Sequence, residues 1–284
     1  MVQILKMKKI NLIIFLVLYG VGVLCAQVNS QLGIISKQPF QIGETVTFHS
    51  SVLQEDRSLN IYLPPSYHPD STRKFPVIYL LDGSADEDFI HTVGLVQYGN
   101  FPWINLLPES IVVGIANVDR RRDFTFPTNI QLDKERYPTT GRSADFIQFL
   151  EQELLPFVQQ NYLVNDTTTL IGQSLGGLLA TEILFKKPDM FRNYIIISPS
   201  LWWDKESLLA QMPSFKAADK SIYIGVGKKE PVPMERDAEK LHKMLKAQRV
   251  NGFDIHYRLF TEQGHADIMH LALYDAFSKV FGKK

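Results

Sequence analysis

Cysteine is nearly missing from this 284-residue chain, where Cys25 is the single one. A disulfide framework is thereby excluded, and the fold must be held by packing. No two histidines have the His-Glu-x-x-His spacing of a zinc site, so neither a metal nor another cofactor is expected. An excess of charge is lacking too, because 30 Lys and Arg balance 30 Asp and Glu. Nothing in that balance attracts a polyanion, which argues against a nucleic-acid partner. The chain also lacks repeats, low-complexity tracts and long linkers, so a single large domain is the economical reading.

Long apolar runs are absent except near the start, where Leu12 to Leu24 spans 13 residues. A bilayer-crossing helix needs about 20. Lys6, Lys8 and Lys9 precede the run, Cys25-Ala26 close it, and polar Gln27-Val28-Asn29-Ser30 follows. These are the three regions of a secretory signal peptide, with cleavage expected after Ala26. Residues 27–284 then form the mature domain, and the protein is expected to be exported, periplasmic or secreted. Membrane contact is expected only through the signal or, as the alternative, through a lipid on Cys25. Gly22-Val23-Leu24 fits a lipid-attachment box poorly.

The mature part alternates strands with helices. Glu44 to Ser51 and Arg57 to Pro64 have period-two patterning around a polar Gln54-Glu55-Asp56, predicting an antiparallel start. Phe75 to Leu81, Ser110 to Ile115 and Thr168 to Ile171 are continuous apolar runs, as strands covered on both faces should be. Tyr194 to Ile197, Ser221 to Val226 and Asp254 to Phe260 extend the set. Helical spacing predicts helices through Phe146 to Val158, kinked at Pro156, over Met234 to Ala247, and over Ala266 to Phe281. The fold class is therefore α/β, a mostly parallel twisted sheet with helices on both faces.

The most telling run is Thr167-Thr168-Thr169-Leu170-Ile171-Gly172-Gln173-Ser174-Leu175-Gly176-Gly177. A β-branched strand breaks into Gly-x-Ser-x-Gly and reopens as an apolar helix, the context of a nucleophile elbow with Ser174 at its tip. A serine hydroxyl is a weak nucleophile near neutral pH and needs a base, which in turn needs an acid to orient it. Of seven histidines, His265 follows the last strand on a loop at the same carboxyl edge as Ser174. In this chain order the acid falls between them, and Glu230, in Lys228-Lys229-Glu230-Pro231, is the first choice, with Asp204 second. Two backbone N–H groups should stabilise the developing oxyanion: that of Leu175, and that of Ser84 in Leu81-Asp82-Gly83-Ser84, with Gly83 as the fallback.

Tyr79-Leu80-Leu81-Asp82-Gly83, Asp119-Arg120-Arg121-Arg122-Asp123-Phe124-Thr125, the elbow and Ser198-Pro199-Ser200-Leu201-Trp202-Trp203 occur in an order that resembles the Putative esterase family of α/β-hydrolases. Esterase D-like, siderophore, some feruloyl esterases and the mycolyltransferases belong to it, and the likeness is greatest to the exported siderophore-esterase branch. The resemblance covers roughly Gln41 to the C-terminus and implies an α/β-hydrolase fold and serine esterase chemistry without a metal. Gln173 stands where histidine is more usual in that family, which bears on substrate details.

Trp202, Trp203 and Arg120 are the pocket candidates, with Arg121 and Arg122 as further cations for an anionic or catechol-bearing ester. The function expected is hydrolysis of a small-molecule carboxylic ester, siderophore or feruloyl/acetyl, through an acyl-enzyme. An acyltransferase of the same fold and a non-catalytic binding module are the alternatives.

Overall fold

The computed structural model describes residues 34–211, 213, 215–216 and 219–282; the signal-peptide reading of residues 1–26 lies outside these. From Ile42 onward the chain clusters as one unit, and Met1–Gln41 groups separately. Eight strands arise where β-branched and aromatic residues concentrate: β1 Glu44–Ser50, β2 Glu55–Tyr62, β3 Phe75–Leu80, β4 Ile111–Ile115, β5 Val164–Gln173, β6 Asn193–Ile197, β7 Lys220–Gly227 and β8 Phe253–Phe260. They form one sheet in the order β1-β2-β4-β3-β5-β6-β7-β8. β2 runs antiparallel to β1 and β4, and the remaining pairs are parallel.

The helices are α1 Phe89–Gly99, α2 Arg120–Phe124, α3 Gln131–Arg136, α4 Ser143–Phe149, α5 Leu155–Asn161, α6 Leu175–Lys186, α7 Val232–Ala247 and α8 Met269–Val280. Successive side chains of a strand leave opposite faces of the sheet. Val77, Tyr79, Val113, Leu170, Ile196, Ile222 and Ile224 meet α4, α6 and α7 on one side. Ile78, Leu80, Val112, Ile171, Ile195, Ile197 and Tyr223 meet α1 and α8 on the other. Burial on both faces is why these strands read as unbroken apolar runs.

Three local expectations shift. The first turn falls at Ser51–Gln54, and Glu55 and Asp56 pair with Ser50 and His49 inside the ladder. Glu153 holds the turn there, accepting from Ser50 Oγ at 2.5 Å and from the Ser51 and Val52 N–H groups at 2.8 and 3.1 Å. Glu55 is kept in the strand by Arg57 at 2.8 Å and Arg122 at 2.6 Å. At Pro156 the expected kink takes the form of a π-helical turn, Leu150–Leu154, after which proline occupies the first turn of α5, where its missing N–H is harmless. The closing helix begins at Met269, leaving residues 261–268 as a loop.

Candidate active site

Ser174 joins β5 to α6 with φ 59° and ψ −118°, a backbone conformation that costs a non-glycine residue about 1–3 kcal/mol. Surrounding bonds hold it there: its N–H donates to Ile197 O at 3.0 Å, and its carbonyl accepts from Leu178 N at 3.0 Å and Ser200 N at 2.9 Å. Close approach demands glycine at 172 and makes the packing tight at 176. A Cβ on Gly172 would lie 2.3 Å from Gly176 O, and one on Gly176 would lie 3.3 Å from Asp82 Oδ2 and 3.4 Å from Leu81 Cβ. The turn therefore lifts the hydroxyl off the sheet edge while the helix packs tightly behind it.

Two other loops converge on this edge. His265 Nδ1 lies 3.0 Å from Glu230 Oε2, and the His265 side chain is 40% exposed while that of Glu230 is fully buried. The second carboxylate oxygen of Glu230 accepts from Ser198 Oγ at 2.5 Å and from Gly227 N at 2.7 Å. Burial alone would raise the pKa of Glu230, but the hydrogen bonds from His265, Ser198 and Gly227 outweigh it and hold the carboxyl below its ordinary range. An ionised acceptor at Nδ1 fixes the tautomer with its proton there and leaves Nε2 as the basic nitrogen. Ser174 and His265 line the same cavity of about 400 Å³. Ser174 Oγ has its hydrogen-bond contact with Ser200 Oγ, at 3.3 Å, rather than with the imidazole.

The other acids are engaged elsewhere. Asp204 accepts from Thr128 Oγ1 at 2.8 Å and Asn129 N at 2.9 Å. Despite the raising effect of burial, these bonds and one from Ser207 keep its pKa low. Asp237 pairs with Arg236 at 2.8 Å, and Asp267 accepts from Gly264 N at 2.7 Å. Among the described residues, no group of three or more His, Cys, Asp or Glu could hold a metal ion.

Leu175 opens α6, where the first N–H groups have no intrahelical acceptor. In the loop after β3, Asp82 takes φ 56° and Gly83 N–H is committed to Ile115 O at 3.0 Å. Ser84 N–H meets only the exposed Glu87 carboxylate, at 3.3 Å, so of the two candidates it is the more available donor.

Two cavities meet at Ser174. One of about 230 Å³ is lined by Arg121, Tyr137, Leu175, Ser200, Trp202 and Trp203. The larger is lined by Asp82, Glu87, Asp88, Gln173 and His265. Trp203 is a core residue, 1% exposed, whose Nε1 donates to Phe126 O at 2.9 Å, and Trp202 stands edge-on against it.

Arg120 borders both cavities, with its guanidinium anchored to the protein. It forks onto Asp82 at 2.5 and 2.8 Å and donates to Gln173 O at 3.2 Å. Arg122 pairs with Glu55 and Asp123. Arg121 differs: it is exposed, lies over the Tyr137 ring at 5.1 Å, and no carboxylate among the described residues pairs with it. Arg121 is thus the less committed cation at the smaller cavity. The sequence reading also left out Ser198, Ser200 and the acidic wall of Glu87 and Asp88. The Ser-Pro-Ser after β6 and the acids after Asp82-Gly83 were the available signals.

Residues 50–266 match the Putative esterase family. Ferri-bacillibactin esterase BesA of Bacillus subtilis is 28% identical over 252 residues, covering 81% of this chain and 87% of that protein. An IroE-like serine hydrolase from Shewanella oneidensis shares the fold with a TM-score of 0.74 at 27% identity, over 83% of this chain and 79% of that one. The BES protein of Bacillus cereus gives 0.73 at 26% identity, over 87% and 98%. With the α/β-hydrolase sheet, the elbow and these relatives in agreement, the chain belongs to the Putative esterase family and is a carboxylic ester hydrolase.

Proposed function

We propose that the protein hydrolyses its ester by a Ser174–His265–Glu230 triad through an acyl-enzyme. The observation that carries this reading is the buried, ionised Glu230 fastened to His265 in the cavity that holds the strained Ser174. His265 Nε2 takes the proton as Ser174 Oγ attacks the carbonyl carbon, and the oxyanion is received by the Leu175 and Ser84 N–H groups. Collapse breaks the bond to the alcohol, which leaves with the proton from His265. Water then attacks the acyl carbon, giving its proton to His265, and the acid is released as the Ser174 hydroxyl re-forms.

The substrate class follows from the smaller cavity. Arg121, Tyr137 and Trp202 offer one cation and flat apolar faces, suited to an anionic or catechol-bearing acyl group. That chemistry agrees with relatives named for ferri-bacillibactin and enterobactin. Siderophore esters therefore come ahead of feruloyl or acetyl esters in this reading. Export belongs to it as well, on the strength of Lys6, Lys8, Lys9 and the apolar run after them. Mass spectrometry of the protein recovered from outside the cytoplasm would reveal a chain starting at Gln27.

Replacing the nucleophile is the direct test. Ser174→Ala should lower kcat by about a thousandfold or more, as loss of a serine nucleophile does elsewhere, with little change in thermal unfolding. Turnover near the wild-type level would refute the reading.

A further inference from the structure

Gln173 makes a contact that ester hydrolysis as described does not use. Its Nε2 donates to the backbone carbonyl of His265 at 2.7 Å. The loop from Thr261 to Ile268 is otherwise tied toward its ends: Glu262 pairs with Lys229 at 3.0 Å, Gln263 O accepts from Lys229 N at 3.0 Å and Ile268 is fully buried, while Gly264 N donates within the loop to Asp267 Oδ1 at 2.7 Å. Glu230 holds the imidazole at Nδ1, which controls rotation of the ring about its own bonds but not the position of the peptide that carries it. Gln173 is the group that binds that peptide. It is also the last residue of β5, next to Ser174, and is itself paired through β6 along Thr169–Gln173. Its carbonyl takes the Arg120 guanidinium at 3.2 Å, and Arg120 forks onto Asp82 in the loop after β3.

We infer that Gln173 is a positioning residue for His265: one side-chain amide ties the base-bearing loop to the rigid strand that carries the nucleophile. The inference rests on the triad reading above. An amide suits the task because it donates to a carbonyl at every pH and adds no charge beside the imidazole. Asp82, Glu87, Asp88, Arg120 and His265 border the same cavity as Gln173. A further carboxylate in that company would be repelled by the three acids and would keep its proton to a higher pH than usual.

The experiment uses the full chain, a small aryl acetate as substrate, and a dialkyl fluorophosphate that labels the serine. A misplacement of the base by about an ångström costs up to a hundredfold, so Gln173→Ala should lower kcat by about ten- to a hundredfold. The rate of Ser174 labelling should fall by a similar factor, with KM and the melting temperature little changed. Gln173→Glu keeps the shape but, when ionised, opposes the His265 carbonyl with lone pairs. Its activity relative to wild type should climb as pH falls from about 8 to about 5, because the protonated carboxyl can donate again. A merely structural role would not produce that climb, even if Gln173→Ala proved unstable.

Unchanged kcat and labelling in Gln173→Ala would overturn the inference. So would a rise in KM with normal labelling, which would make Gln173 a substrate contact, or a flat pH ratio in Gln173→Glu. Failure of the wild type itself to label at Ser174 or to turn over ester would instead refute the triad reading, and the role of Gln173 with it.

Discussion

The two sides of Ser174 are built from opposite chemistry. Toward α6 and the Ser200–Trp203 segment stand an unpaired arginine, a tyrosine and two tryptophans. Toward His265 stand three acids, Asp82, Glu87 and Asp88, against one arginine that Asp82 already holds. In the proposed mechanism Leu175, the oxyanion donor at the elbow, lines the first side, and His265, the base that protonates the departing alcohol, lines the second. An ester lying across Ser174 would therefore place its acyl group among the aromatics and its alcohol beside the acids. The difference divides recognition from proton transfer, and the substitutions below test that division.

The largest effect is expected on the His265 side. Glu230→Gln keeps the volume but replaces an ionised acceptor with an amide that can support the wrong tautomer, so kcat should fall by about a hundredfold or more. Labelling of Ser174 should remain detectable. Asp204→Asn is the matched control, because its hydrogen bonds go to Thr128 and Asn129, and it should cost less than about tenfold. The reverse ranking in steady-state assays would move the acid to the loop after β6.

That Ser174, Glu230 and His265 would share one edge was legible in the sequence, because each directly follows a strand of a parallel sheet and all such loops emerge at the same end. Pairings between distant segments were not. The fork of Arg120 onto Asp82, 38 residues earlier, is one of them. The first hairpin turn moves to Ser51–Gln54 because Glu153, about a hundred residues away, caps it. β5 begins at Val164 rather than Thr168 because Val164 pairs with Phe75 of β3, and Asn165 and Asp166 lie where the register shifts before pairing resumes at Thr168. Period and turn chemistry report on neighbours in the chain, whereas charge pairing is decided by packing.

The two adjacent arginines sharpen the comparison next. Arg120→Ala leaves Asp82, whose side chain is 9% exposed, without its cation, and should destabilise the fold by about 3 kcal/mol, as breaking a buried pair does. Thermal melts would register it for any substrate or none. Arg121→Ala removes an exposed, unpaired cation and should leave the melt unchanged. It should raise KM for an anionic aryl ester by about tenfold, the worth of one hydrogen bond to a charge, while a neutral ester keeps its KM. Equal losses on both esters would mean that the smaller cavity does not read charge.

The last effect probes the acidic side without touching the triad. Burial, and then the charges of Asp82 and Glu87, push the Asp88 carboxyl up to about 6 from an ordinary 3.8, with Arg120 opposing. His91, 3.6 Å away, offers little compensation, because burial and then the neighbouring His270 lower its own pKa. A carboxyl whose pKa is raised on folding binds its proton more tightly in the native state, so its contribution to stability declines as pH rises from about 4 to about 6. Above that window the folded protein carries the whole cost of an ionised Asp88, on the order of 2 kcal/mol for a shift of this size at a partly exposed site. Asp88→Asn removes the cost, so urea melts should show the variant more stable than wild type by about that amount at pH 8 and nearly equal to it at pH 4. A gain that is the same at both pH values would come from something other than charge, and no gain at pH 8 would mean that water already screens the acids. In that case the contrast between the two sides of Ser174 would rest on the aromatic side alone.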